Sequence, residues 1–424
     1  MKIKVKELDY DSVCAIPKPH HKKPVKPTKF IAKIMQAVSK GELKAANFSY
    51  ETIGMENLGP DEPALFLMNH SCFMDLKMAA MMLKDRPFNI ICTSDGFVGK
   101  EGLMRRMGCI PTQKFVRDIT LIRDMSYTIK NLNSSILMYP EASYSFDGTA
   151  TPLPESLGKL VQLLKVPVVM IKTFGAFQHD PLYNNLQLRN VKVSATMEYL
   201  LSPEQIKSMN HAEINELLNE QFSFDNFQWQ KDNGILINEP FRADCLNRVL
   251  YKCPDCGTEG ETEGKGIYLT CHACNKKYEL AEDGSILSLD GNSKFTHIPD
   301  WYNWERESVK EELLSGSYKM EDDVEIFMMV NMDCIYHVGN GHLVHDTNGW
   351  TLDGCDGRLH YNQGPLSCYS LYSDFYWYEL GDMICIGDND VLYYCFPKNA
   401  KNIVAKARLA TEELYKIKLA EIKK

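Results

Sequence analysis

The chain has 424 residues, of which 44% are hydrophobic and 24% charged, so it is too apolar for wholesale disorder and too long for one ordinary domain. Its net charge of −9, from 47 basic and 56 acidic residues, argues against a protein that coats nucleic acid along its length. The charge is uneven, because residues 1–45 hold eleven lysines against four acidic residues. Residues 1–45, the lysine-rich head of the chain, are thus basic, whereas the remaining residues are acidic.

The cysteines and the apolar segments indicate the compartment. Of fourteen cysteines, four form the close pairs Cys253/Cys256 and Cys271/Cys274, and the other ten show no framework spacing. Unpaired thiols without a secretory signal favour a reducing cytosol. No window reaches the roughly 18–20 apolar residues that a membrane-spanning helix needs. We therefore expect a cytoplasmic protein, or one that rests on a membrane without crossing it.

An amphipathic helix is predicted close to the N-terminus. Residues 17–28 are rich in proline and lysine and cannot hold a helix. Residues 29–40 have helical spacing, with an apolar side and several lysines, and Gly41 is a plausible end. The helix either packs on its own domain or lies on an anionic membrane surface, and both can hold at once.

From about residue 46 to 200, apolar runs alternate with amphipathic stretches, which predicts an α/β layer structure with a sheet covered on both faces. The predicted strands are 64–68, 88–92, 136–139, 166–172 and 191–199. The predicted helices are 74–84, 119–132, 155–164 and 203–221, the last with Ser202 as its N-cap. Active residues in such folds usually follow strand ends.

One candidate catalytic pair directly follows the first of these strands, in the run Asn-His-Ser-Cys-Phe-Met-Asp at residues 69–75. His70 would lie in the turn and Asp75 at the start of the next helix. Asp75 would then fix the histidine tautomer and leave the second ring nitrogen free to take a proton from an alcohol. On spacing alone a purely structural histidine is the more frequent explanation. Cys72 is interpreted as a small buried hydrophobe and not as a nucleophile.

Three further segments follow in order: Gly-Cys-Ile-Pro-Thr-Gln-Lys at 108–114, Tyr-Pro-Glu-Ala-Ser-Tyr-Ser at 139–145 and Val-Pro-Val-Val-Met at 166–170. Together with Asn-His-x4-Asp, they resemble the four motifs of the glycerolipid acyltransferases, the 1-acyl-sn-glycerol-3-phosphate acyltransferase family. The resemblance covers about residues 45–220. It implies a mixed sheet flanked by helices and a cytosol-facing enzyme that moves a fatty acyl group from a thioester to a glycerolipid hydroxyl.

The resemblance also implies roles for individual residues. His70 is the general base and Asp75 its orienting partner. Glu141 contacts the glycerol portion of the acceptor, and Lys114 or Arg117 holds its phosphate. Ser143, which stands where the third motif usually has threonine, is a further candidate for substrate binding.

Several positions depart from the family pattern. Lys114 replaces the usual arginine of the second motif and loses its bidentate fork. In the third motif Ala142 replaces glycine and Tyr144 replaces arginine, and Met170 replaces the last proline of the fourth motif. Because His70, Asp75 and Glu141 are intact, we expect activity to survive. The alternative is a non-catalytic lipid-binding or scaffolding protein on a degenerate acyltransferase domain.

The paired cysteines predict a metal site. Cys253-x2-Cys256 and Cys271-x2-Cys274 are separated by fourteen residues, which matches a four-thiolate structural zinc ribbon. Gly257 and Asn275 stand where each pair turns, and both residue types tolerate left-handed backbone. The surroundings are acidic, so we expect no nucleic-acid partner and a structural or protein-contact role.

The sequence thus predicts four parts: a basic segment at 1–45, an acyltransferase domain at 46–244, a zinc ribbon at 245–290 and a β-rich domain with a terminal helix at 291–424. The expected acceptor is a lysophospholipid, above all 1-acyl-glycerol-3-phosphate, and the expected donor is acyl-CoA or acyl-carrier protein. The expected location is peripheral, on the cytosolic face of an anionic membrane, where the lysine-rich head would bind.

Overall fold

The computed structural model describes residues 2–423, within which the chain forms twelve α-helices and nineteen strands. The helices are α1 Tyr10–Cys14, α2 Lys29–Ala45, α3 Met74–Met82, α4 Glu101–Arg106, α5 Ile119–Leu132, α6 Leu157–Leu164, α7 Ala176–His179, α8 Pro203–Ser208, α9 His211–Phe222, α10 Asn226–Asp232, α11 Ile298–Ser315 and α12 Ile403–Ile422. The strands are β1 Val5–Glu7, β2 Ser49–Ile53, β3 Leu65–Met68, β4 Phe88–Thr93, β5 Cys109–Thr112, β6 Ser135–Met138, β7 Val168–Phe174, β8 Ser194–Leu201, β9 Thr262–Lys265, β10 Tyr268–Cys271, β11 Lys277–Leu280, β12 Ile286–Ser288, β13 Met320–Met329, β14 Ile335–Asp346, β15 Gly349–Gly354, β16 Leu359–Gln363, β17 Tyr372–Trp377, β18 Gly381–Gly387 and β19 Leu392–Pro397.

A seven-stranded mixed sheet, in the order β2-β8-β7-β3-β6-β4-β5, underlies the region of the four motifs. Only β7 and β8 pair antiparallel within this described sheet. Strand β3 shows why helices cover both faces. Phe66 and Met68 pack in a core with α3, whereas Leu65 and Leu67 pack in a core with α5, α6 and α9. The predicted α/β fold class, a mixed sheet flanked by helices, is confirmed.

Two helix predictions in this region are wrong in their bounds. Residues 203–221 form two helices, α8 and α9, because Asn210 starts a second capping box with Glu213 after the one that Ser202 forms with Gln205. Helix α2 runs through Gly41 to Ala45. A glycine inside a helix costs about 1 kcal/mol, and burial of the Leu43 side chain offsets this cost.

A four-stranded antiparallel sheet, in the order β12-β11-β10-β9, carries the paired cysteines. One pair precedes β9, and the second pair begins at the end of β10. Gly257 and Asn275 have φ angles of 75° and 62°, so the left-handed turns expected beside each pair are confirmed. The ribbon expected from the cysteine spacing is present.

The C-terminal region forms an antiparallel sheet in the order β16-β15-β14-β13-β19-β18-β17, and α12 packs against its core. The β-rich module that ends in a helix is confirmed, and its terminal helix is α12. Strand β17 pairs with β18 and forms one edge of this sheet, where it contacts the seven-stranded sheet region through Asp95.

The N-terminal segment connects the two larger sheets. Strand β1 pairs in parallel with β14 of the C-terminal sheet. Farther along, the Asn89 side-chain amide donates to the Val25 carbonyl at 2.8 Å, and the Thr28 N–H donates to the Arg106 carbonyl at 3.0 Å. Helix α2 then packs on α3. Among the helices of residues 2–423, none is long and apolar enough to cross a bilayer.

Candidate active site

Four neighbouring strands of the first sheet, β3, β6, β4 and β5, run parallel, so their carboxyl ends meet at one edge. The loops at this edge carry His70 after β3, Glu141 after β6, Asp95 after β4 and Lys114 after β5. The fold therefore brings the first three motifs together. The first and third motifs follow predicted strands, whereas β5, which precedes Lys114, is not among the predicted strands. Asp95 was not singled out by any motif.

The His70–Asp75 pair has the geometry that a base and its orienting partner require. One carboxylate oxygen of Asp75, Oδ2, lies 3.1 Å from His70 Nδ1 and accepts the N–H groups of Ser71 at 2.7 Å and Cys72 at 3.1 Å. Asp75 is fully buried, and the His70 side chain is 19% exposed. A carboxylate acceptor places the proton on Nδ1 and leaves Nε2 with a free lone pair.

The surroundings of the His70 ring favour its neutral form. Burial lowers the pKa of His70, and this effect outweighs the Asp75 charge, which raises it. The ammonium group of Lys114 lowers the pKa of His70 further. Neutral imidazole is the form that can accept a proton.

Asn69, the first residue of the motif, fixes the end of β3. Its side-chain oxygen accepts hydrogen bonds from the Thr173 N–H at 2.8 Å and the Thr173 hydroxyl at 3.1 Å. These bonds tie β3 to β7 immediately before His70. The sequence pattern contained Asn69 but gave no reason for it.

Glu141 supports the same loop from the neighbouring strand. One carboxylate oxygen accepts the His70 N–H at 2.8 Å, and the other accepts the Thr151 N–H at 2.8 Å. Burial raises the pKa of Glu141 to about 7, against the effect of these donors. Glu141 and Ser143 are 3% and 1% exposed and lie behind the wall of the cavity described next.

A cavity of about 1910 Å³ opens beside His70. This exceeds the roughly 300–1,000 Å³ of most small-molecule pockets. Its wall includes His70, Lys114 and Arg117, and large apolar side chains that are exposed at its rim: Phe73, Leu103, Ile119, Ile122 and Leu163. A long apolar ligand fits such a space better than a compact polar one.

Two rings of the third motif pack on the imidazole. The Tyr139 ring stacks on His70 at a centroid distance of 4.0 Å, and the Tyr144 ring lies 4.2 Å from it, tilted by 43°. Tyr144 occupies the position where the motif usually has arginine, so an anion contact is exchanged here for a ring contact. Between them in the chain, Ala142 has a φ of 55°. Glycine adopts this left-handed conformation more easily than alanine, which explains why the motif usually has glycine at this position.

Comparison with known proteins identifies this region. The family model described as Acyltransferase matches residues 49–172. Residues 49–172 form an acyltransferase domain. All four motifs lie within this range, and the resemblance inferred from them is confirmed there. A search of curated proteins gives no match.

Among solved structures, a similar chain is the 1-acyl-sn-glycerophosphate (LPA) acyltransferase PlsC from Thermotoga maritima. The two chains are 16% identical, with a TM-score of 0.35, and the match covers 45% of this chain and 80% of the other.

The C-terminal sheet contributes to the cavity of the acyltransferase domain. Asp95 accepts hydrogen bonds from the Tyr372 hydroxyl and from Trp377 Nε1, the latter at 3.2 Å. The Lys114 ammonium lies over the Tyr372 ring, 4.2 Å from its centroid. Tyr372 and Trp377 both belong to strand β17. Nothing in its local spacing indicates a partner almost 280 residues away.

The four cysteines of the ribbon converge outside the acyltransferase domain. Their sulfur atoms all lie within 4.8 Å of one another, with Cys253–Cys274 and Cys256–Cys271 both at 3.8 Å. This cluster can hold a metal ion. His272, between two of the cysteines, instead pairs with Glu263 at 2.9 Å.

Proposed function

We propose that the chain transfers a fatty acyl group from acyl-CoA or acyl-carrier protein to the hydroxyl of a lysophospholipid, with His70 as general base. The observation that supports this most directly is the His70–Asp75 pair in the wall of a large apolar cavity within the acyltransferase domain. The family resemblance favours 1-acyl-glycerol-3-phosphate as acceptor and phospholipid biosynthesis as the setting.

The reaction needs no acyl-enzyme intermediate. His70 Nε2 takes the proton from the acceptor hydroxyl as its oxygen attacks the thioester carbonyl carbon. The tetrahedral intermediate then breaks its C–S bond, and the sulfur leaves with the proton from the imidazolium. The products are the acylated glycerolipid and a free thiol. Asp75 keeps Nδ1 protonated throughout and stabilises the transient positive charge.

The other predicted site residues divide into two groups. Lys114 and Arg117 line the cavity, and we propose that one of them holds the acceptor phosphate. The resemblance assigns Glu141 and Ser143 to substrate. Both Glu141 oxygens already accept backbone N–H groups, so we propose that Glu141 holds the His70 loop in place. Ser143 is buried and its hydroxyl donates to the Tyr144 carbonyl at 3.3 Å, so we propose that it supports the loop of the third motif.

Replacing His70 by Ala should reduce acyl transfer to background, because the variant lacks the ring nitrogen proposed to take the hydroxyl proton. Asp75→Asn should reduce kcat by about 10²-fold or more, because the tautomer is no longer fixed. The measurement is product formation from labelled acyl-CoA and a panel of lysolipids, with Cys14→Ser as an exposed control. Full activity of His70→Ala would refute the base assignment, and no product with the native chain would favour the scaffold alternative.

The pH dependence should report the lowered pKa of His70. Activity requires the neutral ring and is lost as His70 is protonated, so the acid limb of kcat/KM should have its midpoint below 6.5. Lys114→Met should move this limb to higher pH, because a neighbouring positive charge is removed. Glu141→Gln serves as the control, because Glu141 has a pKa of about 7. A limb near pH 7 that is present in the native protein and absent from this variant reports the titration of Glu141. A midpoint above 6.5 that survives this control would contradict the assignment.

We also propose that the cysteine cluster binds structural zinc. Tetrahedral coordination with Zn–S bonds of about 2.3 Å gives sulfur separations of about 3.8 Å, and two of the pairs have this separation. Four thiolates leave no open position for catalysis. The zinc would hold together a sheet that is too small to be stable alone. Because the surface of this sheet is acidic, we propose that any partner it binds is a protein and not a nucleic acid.

Purified protein should contain one zinc per chain, measured by elemental mass spectrometry. Cys271→Ser should abolish the zinc and lower the thermal midpoint, because a small metal domain loses most of its folding free energy without its ion. Trp301 packs edge-on against Tyr278 of β11, so its fluorescence should change as well. Cys245→Ser, outside the cluster, should keep the zinc. Zinc retained in Cys271→Ser would refute the site.

We further propose that the protein binds the cytosolic face of an anionic membrane through α2. The side chains of Phe30, Ile34 and Val38 form one exposed stripe, 74%, 46% and 65% exposed, while Leu43 on the other side is buried. Lys29, Lys33 and Lys40 are exposed and form no ion pair with another described residue. Several lysines of the preceding segment, in contrast, are paired within the molecule, such as Lys22 with Glu101.

Changing Lys29, Lys33 and Lys40 of α2 to Ala should weaken binding to phosphatidylglycerol-containing vesicles by about a hundredfold, at about 1 kcal/mol for each charge. Binding of the native protein should also weaken with salt. The matched control changes three exposed lysines elsewhere: Lys207, Lys231 and Lys265. Point variants are preferable to deleting residues 1–45, because β1 belongs to the C-terminal sheet. Equal vesicle binding by both triple variants would refute the role of α2.

A further inference from the structure

The edge strand of the C-terminal sheet forms part of the wall of the catalytic cavity. Tyr372, Asp374, Tyr376 and Trp377 of β17, and Tyr378 beyond it, line the same space as His70 and Lys114. The strand is held there by Asp95, which accepts hydrogen bonds from both Tyr372 and Trp377. The carboxylate of Asp374 thereby enters a site that the acyltransferase motifs do not describe.

Asp374 and Lys114 are opposite charges that influence each other across this space. Burial lowers the pKa of Lys114, and the Asp374 charge acts against this shift. Burial raises the pKa of Asp374 to about 6, and the Lys114 charge acts against that shift. No ion pair joins the two side chains, since the Lys114 ammonium lies on the Tyr372 ring and Asp374 accepts the Phe375 N–H at 2.9 Å. Each group therefore keeps capacity to bind an ion of a ligand.

The charges around Lys114 fit some headgroups better than others. A phosphomonoester carries nearly two negative charges near neutral pH, and Lys114 is accompanied by the carboxylates of Asp374 and Asp95. A phosphodiester carries one charge, which Lys114 alone can balance. The Asp374 carboxylate then remains, flanked by aromatic side chains that line the cavity. A carboxylate beside aromatic rings is a typical environment for an ammonium group.

We propose that Lys114 and Asp374 form the headgroup site of the acceptor, and that this site takes a lysophospholipid with both a phosphodiester and an ammonium group. This inference rests on the proposed function and narrows its acceptor from lysophospholipids in general to zwitterionic ones. Lys114 binds the phosphodiester, and Asp374 binds the ammonium. The acceptor hydroxyl then lies toward His70. The C-terminal sheet thus supplies a specificity-determining residue to the acyltransferase domain.

The test compares three acceptors with the same acyl chain: 1-acyl-glycerol-3-phosphoethanolamine, 1-acyl-glycerol-3-phosphoglycerol and 1-acyl-glycerol-3-phosphate. The first two are both phosphodiesters and differ in the ammonium group. For the native protein, kcat/KM should be about tenfold or more higher with phosphoethanolamine than with phosphoglycerol, the range of a charge-assisted hydrogen bond. This comparison requires no variant and therefore does not depend on whether a variant folds.

Asp374→Asn should bring the ratio of these two kcat/KM values close to one and raise kcat/KM for 1-acyl-glycerol-3-phosphate, since a repelling charge is removed. Asp356→Asn removes the same charge from an exposed turn and should leave the ratio unchanged. A merely structural role of Asp374 would lower all three values alike, and this result would overturn the inference.

A native ratio of one or less would also overturn the inference. Product formed only from 1-acyl-glycerol-3-phosphate would overturn it as well, while leaving the proposed function intact. No product from any acceptor would overturn the proposed function and this inference together.

Discussion

The carboxylate of Asp75 is the interaction on which the candidate site depends. It is fully buried, and an ionised carboxylate in such a place costs several kcal/mol unless donors surround it. One of its oxygens meets three nitrogen atoms, those of the His70 ring and of the Ser71 and Cys72 backbone. The bonds that Oδ2 accepts therefore also close the loop and orient the His70 ring. The four-residue spacing between His70 and Asp75 follows from this geometry.

Glu141 repeats this arrangement on the neighbouring strand and joins the two loops through the His70 N–H. The first and third motifs are thus parts of one hydrogen-bonded unit at the edge of the sheet. The substitutions in the third motif leave this hydrogen-bonded unit intact. Ala142 adopts the left-handed conformation at a cost of about 1–2 kcal/mol, and Tyr144 replaces a charged contact by a ring on His70.

Local patterns predicted what depends on local physics. Apolar runs such as residues 64–68 identified strands that are buried on both faces, and the cysteine spacing identified the ribbon. The sequence pattern predicts one helix over residues 203–221 because apolar periodicity continues across Asn210, although a second capping box begins there. The motifs identified His70 and Asp75 as candidate site residues. Asp374 could not be predicted, because its place beside Lys114 arises from the packing of two sheets and not from any spacing in the chain.

The C-terminal elements are therefore more than an addition to the acyltransferase domain. Besides β17, helix α12 reaches the third motif, where Arg408 donates to the Tyr144 carbonyl at 3.3 Å and lies over the Phe146 ring. This guanidinium stands close to the position that lost its arginine. Its charge, however, is balanced by Glu412, 3.5 Å away on the same helix, and Arg408 is buried. Arg408 thus supports the loop of the third motif, but it does not offer the anion contact of the usual arginine. In the function proposed above, recognition of the headgroup would fall to residues that line the cavity, namely Lys114 after β5 and Asp374 of β17.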